Sequence, residues 1–284
     1  FSTRIRIRSK DQLQYLGESF NEMASGIGRL LVEEKEKQRL EEELRIARSI
    51  QLKLLPRDVC TGSWFDLAAI NLPASEIAGD YFDYHLDDSG ALHLVVADVS
   101  GHGASAAFYM AELKGIINYL QKRSMPPATL IGECHQALRP SMDRATFITM
   151  NAMTLYPGEK RLVFARAGHT PALHYQACKG TVKDWYPQGM ALGLPGFRQE
   201  KIEEMADSFG SGDILLLYSD GLSELMNREG EMLGVDRIRA ILRDQAHLSA
   251  PDLRQYILDK AISFSATRSN DDDLTFILLK VGDT

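Results

Sequence analysis

Four short stretches that lie far apart in the sequence place acidic residues beside glycine or at expected strand ends, so the fold must give each of them a defined turn. The stretches are Ala78-Gly79-Asp80, Asp98-Val99-Ser100-Gly101-His102-Gly103, Ser219-Asp220-Gly221 and Asn270-Asp271-Asp272-Asp273-Leu274-Thr275. Glycine allows the close turn that directs a neighbouring carboxylate inward, and Mg²⁺ and Mn²⁺ bind carboxylate, carbonyl and water oxygens. Together the stretches predict one oxygen-rich metal site assembled from distant parts of the chain.

Composition narrows the class of protein. A chain of 284 residues with 44% hydrophobic content can bury one sizeable core, and a net charge of -7 disfavours nonspecific binding to nucleic acid or anionic lipid. The three cysteines form no close pair, which fits a reducing cytosolic compartment without disulfides or a thiolate zinc site. No apolar run approaches the roughly 20 residues that span a bilayer, so we expect this chain to be soluble.

The sequence pattern changes near Pro56. Residues 11–55 contain no proline, and apolar side chains recur there at alternating steps of four and three, at Leu16, Phe20, Met23, Ile27 and Leu30. This spacing predicts a helix that pairs with a second copy of itself. Residues 33–39 are charged or polar, and the apolar spacing then resumes in a shifted phase, which changes the winding of a coiled coil. A solvated charged helix and a regulatory junction both remain open for this segment.

After Pro56 the pattern predicts short strands with intervening helices. Segments rich in β-branched, aromatic and leucine residues and bounded by glycine, proline or aspartate predict strands over 91–98, 146–156, 161–167, 213–218 and 275–281. Helices are expected over 104–123 and 252–265, and Ser249 with Pro251 and Asp252 marks the start of the second. The chain is therefore expected to be an α+β protein.

The absence of familiar nucleophile and nucleotide motifs narrows the chemistry. None of the three cysteines is followed six residues later by arginine, which disfavours a cysteine-nucleophile phosphatase. Phosphate-binding Gly-Lys-Ser/Thr loops, His-Glu-x-x-His and Gly-x-Ser-x-Gly are also absent. Water activated by metal remains, because two divalent ions roughly 3.5–4 Å apart lower the pKa of a bridging water and neutralise a phosphoryl group.

Six ordered motifs across about 230 residues resemble the SpoIIE/RsbU-like branch of the metal-dependent (2C-type) serine/threonine protein phosphatases. They are Ile46-Ala47-Arg48-Ser49-Ile50-Gln51-Leu52-Lys53-Leu54-Leu55-Pro56, Gly79-Asp80-Tyr81-Phe82-Asp83, Asp98-Val99-Ser100-Gly101-His102-Gly103, Ala167-Gly168-His169-Thr170-Pro171, Tyr218-Ser219-Asp220-Gly221-Leu222-Ser223-Glu224 and Asp272-Asp273-Leu274-Thr275. The resemblance implies a β-sandwich flanked by helices, with two Mn²⁺ or Mg²⁺ ions at one end. Ala78 departs from the family, which often has glycine there.

Carried over residue by residue, the resemblance implies specific ligands. Asp80 and Asp98 correspond to ligands of the metal pair, the Val99 carbonyl to a further ligand, and Asp220 and Asp272 to the other half of the site. Four carboxylates brought together without cations repel one another and raise one another's pKa values, so we expect metal binding to order the site. Asp80, Asp98, Asp220 and Asp272 are accordingly the expected catalytic residues.

Several neighbouring residues keep more than one interpretation. Asp271 and Asp273 flank Asp272 and could exchange places with it. His102 could contact the substrate or a water molecule, or serve only the turn, whereas His169 is expected to be structural. Asp83 follows Asp80 by three residues, so on a strand it would point to the opposite face, whereas a turn would bring it back to support the metal ligands.

Residues 11–24 resemble, more briefly, the second helix of a HAMP signalling module. The resemblance implies that residues 1–10 are the HAMP connector and that the chain is the cytoplasmic part of a bacterial inner-membrane receptor whose membrane segment lies upstream. The expected domains are a partial HAMP module over 1–30, a coiled-coil linker over 31–56 and a phosphatase domain over 57–284. The N-terminal helices are expected to form a homodimer, and the helical linker is expected to regulate the phosphatase.

The resulting expectation is a phosphatase acting on phosphoserine or phosphothreonine. In this family branch the usual substrate is a phosphorylated STAS-domain regulator, an anti-sigma-factor antagonist. Two alternatives remain open: a catalytically silent signalling scaffold of the same fold, and a hydrolase of small phosphoesters. Retained acidic positions disfavour the first, and the lack of a nucleotide-binding loop or basic pocket disfavours the second.

Overall fold

The structure is a computed structural model that describes residue 4 and residues 12–74, 77–101, 103–265 and 272–282. The chain forms two compact units, Phe1–Ile50 and Gln51–Thr284. This division does not test the expected HAMP module, neither its boundary at residue 30 nor its helix. Most of the expected HAMP connector, residues 1–3 and 5–10, lies outside the described residues. The three-domain division therefore stays a prediction.

The first unit is described mainly by helix α1 (Gln12–Leu54), which ends just before Pro56. The five apolar residues expected to form a helix-pairing seam are all exposed, from 37% at Ile27 to 64% at Leu16 and Leu30. The polar part of α1 carries exposed ion pairs one turn apart, such as Lys37 with Glu41 and Arg39 with Glu43. Such pairs contribute only about 0.3–0.5 kcal/mol each. The helix is as the sequence predicted, and its pairing remains a prediction.

The second unit contains two antiparallel sheets. In the described part of the chain, sheet I has the strand order β3 (Tyr81–Leu86), β4 (Leu92–Val99), β5 (Ile148–Tyr156), β6 (Arg161–Ala167) and β9 (Glu204–Ser208). Sheet II has the order β1 (Val59–Thr61), β2 (Phe65–Leu72), β11 (Leu274–Val281), β10 (Ile214–Tyr218), β7 (Ala172–Gln176) and β8 (Thr181–Trp185). The sheets pack face to face.

Helices cover the outer face of each sheet. Helices α2 (Ala104–Leu120) and α3 (Pro127–Leu138) pack on sheet I, whereas α4 (Asp220–Ser223), α5 (Gly234–Asp244) and α6 (Ala250–Phe264) pack on sheet II. The layers are therefore helix, sheet, sheet, helix. The fold class expected from the sequence, a β-sandwich flanked by helices, is confirmed.

The core between the sheets comes from alternate strand residues, because successive side chains of a strand point to opposite faces. Phe82, Leu94 and Phe164 of sheet I meet Leu215 and Ile277 of sheet II in one buried cluster. Each of these side chains is at most 1% exposed. This dry interface fixes the register of the sheets and so fixes where their strands end.

The expected elements agree with the observed ones to within two residues at most ends. Strand β6 matches its predicted range, and α2 continues into a short 3-10 turn at Gln121–Arg123. Helix α6 begins as the capping pattern predicted, since the Ser249 side chain accepts a hydrogen bond from the Asp252 N–H. Helices α3, α4 and α5 were not predicted, nor were strands β1, β2, β3, β7, β8 and β9. Among the described helices, none combines the length and low charge needed to cross a bilayer.

Candidate metal and active site

Sheet I places Asp80 and Asp98 side by side at one end of the sandwich. Asp80 immediately precedes β3, Asp98 is the penultimate residue of β4, and Tyr81 lies opposite Ala97 in the antiparallel pairing. Asp80 is only 1% exposed. Burial, followed by the charge of Asp98, raises the pKa of Asp80 well above its usual range. The first sequence-predicted pair is therefore brought together.

Sheet II places Asp220 and Asp272 at its own strand ends. Asp220 follows β10 by two residues and begins α4, and Asp272 lies two residues before β11. Tyr218 lies opposite Phe276, so these two ends of β10 and β11 are adjacent. Partial loss of contact with water raises the pKa of both carboxyls; the charge of Glu224 adds to the effect at Asp220, and that of Asp220 adds at Asp272.

Hydroxyl groups of sheet II reach across to Asp80. The Ser219 hydroxyl donates to Asp80 Oδ2 at 2.6 Å, and the Ser219 and Thr275 side chains both act to lower the pKa of Asp80, against the larger effect of burial. Asn71 Nδ2 in turn donates to Thr275 Oγ1 at 2.8 Å. The two strand-end pairs thus belong to one site at one end of the sandwich, because a residue next to Asp220 contacts Asp80 directly.

Asp98 shows the electrostatic character of the site. Burial raises its pKa to about 7, and the charges of Asp220, Asp272 and Asp273 add to the effect. The three neighbouring groups that raise the pKa of Asp98 are all carboxylates, and each disfavours its ionised form. A group of carboxylates that destabilise one another's ionised forms is the donor chemistry that a hard divalent cation binds and neutralises. The residues present therefore fit Mn²⁺ or Mg²⁺.

Gly79 allows the Asp80 segment to approach the end of β4. A Cβ atom added at Gly79 would lie 3.0 Å from the Val99 carbonyl oxygen and 3.3 Å from Ala106 Cβ. Contacts this short require a neighbour to move, and a backbone carbonyl moves less readily than a flexible side chain. Glycine at this position therefore keeps Asp80 beside the Val99 carbonyl, which is the expected non-carboxylate ligand.

The carboxylates are close enough to raise one another's pKa values, but the described side chains do not form a complete metal coordination site. Among the described residues, no three His, Cys, Asp or Glu side chains converge as they stand on a point that could hold an ion. The donor chemistry fits a cation, and the assignment of Asp80, Asp98, Val99, Asp220 and Asp272 as ligands stays a prediction.

Comparison with known proteins decides the family. The sequence profile described as stage II sporulation protein E (SpoIIE) matches residues 88–282, more than half of the chain. The chain belongs to the SpoIIE family. It is 26% identical over 243 residues to phosphoserine phosphatase RsbU of Bacillus subtilis, covering 86% of this chain and 71% of RsbU. It is 24% identical to phosphoserine phosphatase RsbP of the same organism, covering 84% of this chain and 58% of RsbP.

Solved structures agree on the fold of this SpoIIE domain. The SiaA-PP2C domain of Pseudomonas aeruginosa superimposes with a TM-score of 0.74 at 19% identity, covering 86% of this chain and 98% of that one. The structure of RsbX in complex with magnesium gives a TM-score of 0.60 at 20% identity, covering 79% and 98%. The chain is a SpoIIE-type PP2C domain and a protein phosphatase.

Two acidic residues of the SpoIIE motifs serve the surrounding structure. Asp83 is 2% exposed, points to the α2 side of sheet I as its strand position predicted, and accepts hydrogen bonds from Lys114 Nζ at 2.8 Å and the Tyr81 hydroxyl at 2.6 Å. Asp273 accepts backbone N–H groups from Ala74 at 2.8 Å and Gly79 at 2.7 Å. Asp272 is exposed, so the two neighbours are not equivalent. Asp271 lies outside the described residues.

The two motif histidines have different outcomes. His169 is buried, its Nδ1 lies 2.6 Å from Thr149 Oγ1, and burial lowers its pKa to about 3, so the ring is neutral at physiological pH. Its main-chain carbonyl also accepts a hydrogen bond from Arg166 Nη1 at 2.7 Å. These contacts agree with the structural role that the sequence favoured. His102 lies outside the described residues.

Three residues important to the geometry were not singled out from the sequence. The Ser219 hydroxyl binds Asp80, the Thr275 N–H donates to that hydroxyl, and Gln51 hydrogen-bonds Ala78 from the end of α1. Each lies within one of the motifs that resemble the family. Its position in that motif was the one sequence signal that could have indicated a role in the site. Their roles depend on side-chain contacts between segments more than 20 residues apart.

Proposed function

We propose that this SpoIIE-family domain is a divalent-cation-dependent phosphatase that hydrolyses phosphoserine or phosphothreonine on a bacterial signalling protein. The observation that carries the proposal is the carboxylate group at the shared end of the two sheets. The pKa of Asp98, raised to about 7, is the clearest sign that these carboxylates are suited to binding a cation. A catalytically silent scaffold has no need to keep mutually destabilising carboxylates in this arrangement.

Asp80, Asp98, Asp220, Asp272 and the Val99 carbonyl are the residues that would hold two Mn²⁺ or Mg²⁺ ions. When bound, the ions activate a water molecule and neutralise the phosphoryl oxygens of the substrate. The chain's own part is to fix the ligands in place. Ser219 orients Asp80, and the packing of sheet I on sheet II sets the separation of Asp98, near the end of β4, from Asp220, just after β10.

The proposed substrate is a phosphorylated STAS-domain protein, an anti-sigma-factor antagonist. The support is membership of the SpoIIE family and similarity to RsbU and RsbP, both of which are described as phosphoserine phosphatases. A folded protein substrate also fits an open site formed by strand ends, where Asp272 is exposed.

We further propose that the chain acts as a homodimer through α1 and that this helix regulates the phosphatase. The exposed apolar seam of Leu16, Phe20, Met23, Ile27 and Leu30 supports pairing, because burying it would remove a continuous apolar stripe from water. The HAMP-like residues 11–24 support a place at the cytoplasmic side of an inner-membrane receptor.

The test measures phosphate release from a phosphoserine STAS-domain protein and from p-nitrophenyl phosphate, with Mn²⁺, Mg²⁺ or chelator. Asp98→Asn removes one carboxylate charge at nearly constant shape, and Asp88→Asn makes the same change at an exposed turn residue. We expect metal-dependent release that Asp98→Asn lowers by at least about 100-fold and Asp88→Asn leaves unchanged.

The possible results separate the competing functions. Equal rates for wild type and Asp98→Asn would remove the proposed site. Preference for p-nitrophenyl phosphate over every phosphoprotein would favour a small-phosphoester hydrolase. If folded protein releases no phosphate, calorimetric titration with Mn²⁺ separates an inhibited enzyme, which binds the ion, from a scaffold, which does not.

A further inference from the structure

The segment Ala78-Gly79-Asp80, which presents Asp80, is held by two side chains from distant parts of the chain. The Ala78 N–H donates to Gln51 Oε1 at 3.0 Å. The next two N–H groups, those of Gly79 and Asp80, donate to Asp273 Oδ2 at 2.7 and 3.4 Å. Three consecutive backbone donors are therefore bound by a glutamine and an aspartate.

Gln51 binds Ala78 in the manner of a paired strand. Its Nε2 donates to the Ala78 carbonyl at 2.7 Å while its Oε1 accepts the Ala78 N–H, so one side-chain amide satisfies both backbone groups. Gln51 is 7% exposed and Ala78 is 1% exposed. Buried backbone groups that lose their hydrogen-bond partners destabilise the folded state, so this pair is a strong local constraint.

Asp273 binds the segment from the side of β11. Its Oδ1 accepts the Ala74 N–H at 2.8 Å and its Oδ2 accepts the Gly79 N–H at 2.7 Å, so both carboxylate oxygens are engaged by the chain that leads to Asp80. Charge-assisted hydrogen bonds of this kind are roughly twice as strong as neutral ones. An aspartate used in this way has less capacity left for a metal ion than Asp272, which is exposed and whose Oδ1 accepts the Asp273 N–H at 2.8 Å.

We propose that Gln51 and Asp273 are positioning residues that together clamp Ala78-Gly79-Asp80, and that Asp273 acts on the metal site through Asp80 and not as a ligand. The clamp fixes the backbone from which the buried Asp80 carboxylate extends, and the Ser219 hydroxyl then fixes the carboxylate itself. The part of this inference that concerns metal affinity rests on the proposed function. The part that concerns the backbone does not.

The first measurement is hydrogen exchange of the backbone amides of residues 78–80 in the metal-free protein. The variants are Gln51→Glu, which keeps the acceptor for Ala78 N–H and loses the donor to its carbonyl, and Asp273→Asn, which replaces one acceptor oxygen by an NH₂ group. Gln38→Glu and Asp88→Asn are the matched controls, because both residues are exposed. We expect exchange at 78–80 to accelerate at least about 10-fold in the two clamp variants and to stay unchanged in the controls.

The second measurement is calorimetric titration with Mn²⁺. We expect Gln51→Glu and Asp273→Asn to weaken the affinity about 10- to 100-fold while the number of ions bound stays at the wild-type value, as for residues that orient a ligand. Asp272→Asn, at an expected ligand, should lower affinity or ion number without changing exchange at residues 78–80.

The outcomes are distinguishable. If hydrogen exchange at residues 78–80 is unchanged in both clamp variants, the clamp proposal is wrong. If Asp273→Asn shows unchanged exchange there but binds fewer Mn²⁺ ions than wild type, Asp273 is a metal ligand. If wild-type protein binds no Mn²⁺, the proposed function fails while the exchange comparison still decides the clamp. Thermal unfolding of the metal-free variants shows whether each is folded. If Asp273→Asn does not fold, the exchange measurement on Gln51→Glu decides the clamp. Asp273→Glu, which retains both acceptor oxygens, then replaces Asp273→Asn in the titration.

Discussion

The Ser219 hydroxyl donates a 2.6 Å hydrogen bond to Asp80 Oδ2, joining positions separated by 139 residues. The same hydroxyl oxygen accepts the Thr275 N–H at 3.1 Å. Ser219 is completely buried and Asp80 nearly so, which leaves the carboxylate dependent on protein donors when no cation is bound. One hydroxyl thus joins the strand end that carries Asp220, the start of β11 and the carboxylate beside β3.

Ser219→Ala should weaken Mn²⁺ binding about 10- to 100-fold, because Asp80 loses the donor that orients it. Calorimetric titration measures the affinity. Ser263→Ala is the control, since that hydroxyl binds the Asp259 carbonyl on the exposed face of α6. Equal affinities for Ser219→Ala and wild type would show that the hydrogen bond does not orient a ligand.

Asp98 should contribute stability to the metal-free protein that is lost as pH rises. Folding raises the pKa of Asp98 from an ordinary value of about 4 to about 7, so at this residue the folded state holds more protons than the unfolded state between these values. The contribution of Asp98 to the free energy of unfolding is therefore greatest below pH 4 and falls with rising pH through about 7, by at most about 1.4 kcal/mol per pH unit. The lowered pKa of buried His169 acts in the opposite direction below its ordinary value of 6.5, so the Asp98 contribution is measured as the difference between wild type and Asp98→Asn in urea unfolding with chelator at several pH values.

The same pH series has two controls. Asp98→Asn should lose this falling component because the amide does not titrate, and saturating Mn²⁺ should remove it from wild type because the cations stabilise the ionised carboxylates. An unchanged slope in Asp98→Asn would assign the dependence to other groups.

Lys114→Met should lower the free energy of unfolding by about 3–5 kcal/mol, because it leaves the Asp83 carboxylate buried without its cation. Asp83→Asn added to Lys114→Met should restore part of this loss, since the neutral amide costs less to bury. Urea unfolding measures both, with Lys122→Met at an exposed position as the control. If Lys114→Met unfolds like wild type, the ion pair does not support the junction of β3 with α2.

Deleting residues 1–45 should leave a folded phosphatase domain that is monomeric and has an altered rate or Mn²⁺ affinity. The deletion removes the apolar seam and retains Gln51, and residues 51–284 form a compact unit. Light scattering measures mass, and phosphate release and calorimetry measure the rate and affinity. A deleted protein with unchanged rate and affinity would rule out regulation through the helix.

Much of the fold could be predicted because its signals are local. Strand β6 and the start of α6 depend on residue type and neighbouring spacing, and both were predicted closely. Helix α3 was missed: it is a short helix of twelve residues whose apolar positions become clear only against sheet I. The candidate acidic residues could be named because glycine-flanked carboxylates are unusual enough in sequence to stand out as an ordered set.

The ordered motifs of the sequence were enough to predict the family, the helix–sheet–sheet–helix class and the set of acidic residues proposed to bind metal. Only the tertiary structure separated Asp273, engaged by backbone N–H groups, from the exposed Asp272, and only it placed Ser219, Thr275 and Gln51 around the Asp80 segment. The physical reason is the separation in sequence between the residues that produce each feature. Periodicity and motif order are properties of neighbouring residues, whereas a hydrogen bond between segments depends on sheet register and on burial, which the whole fold decides.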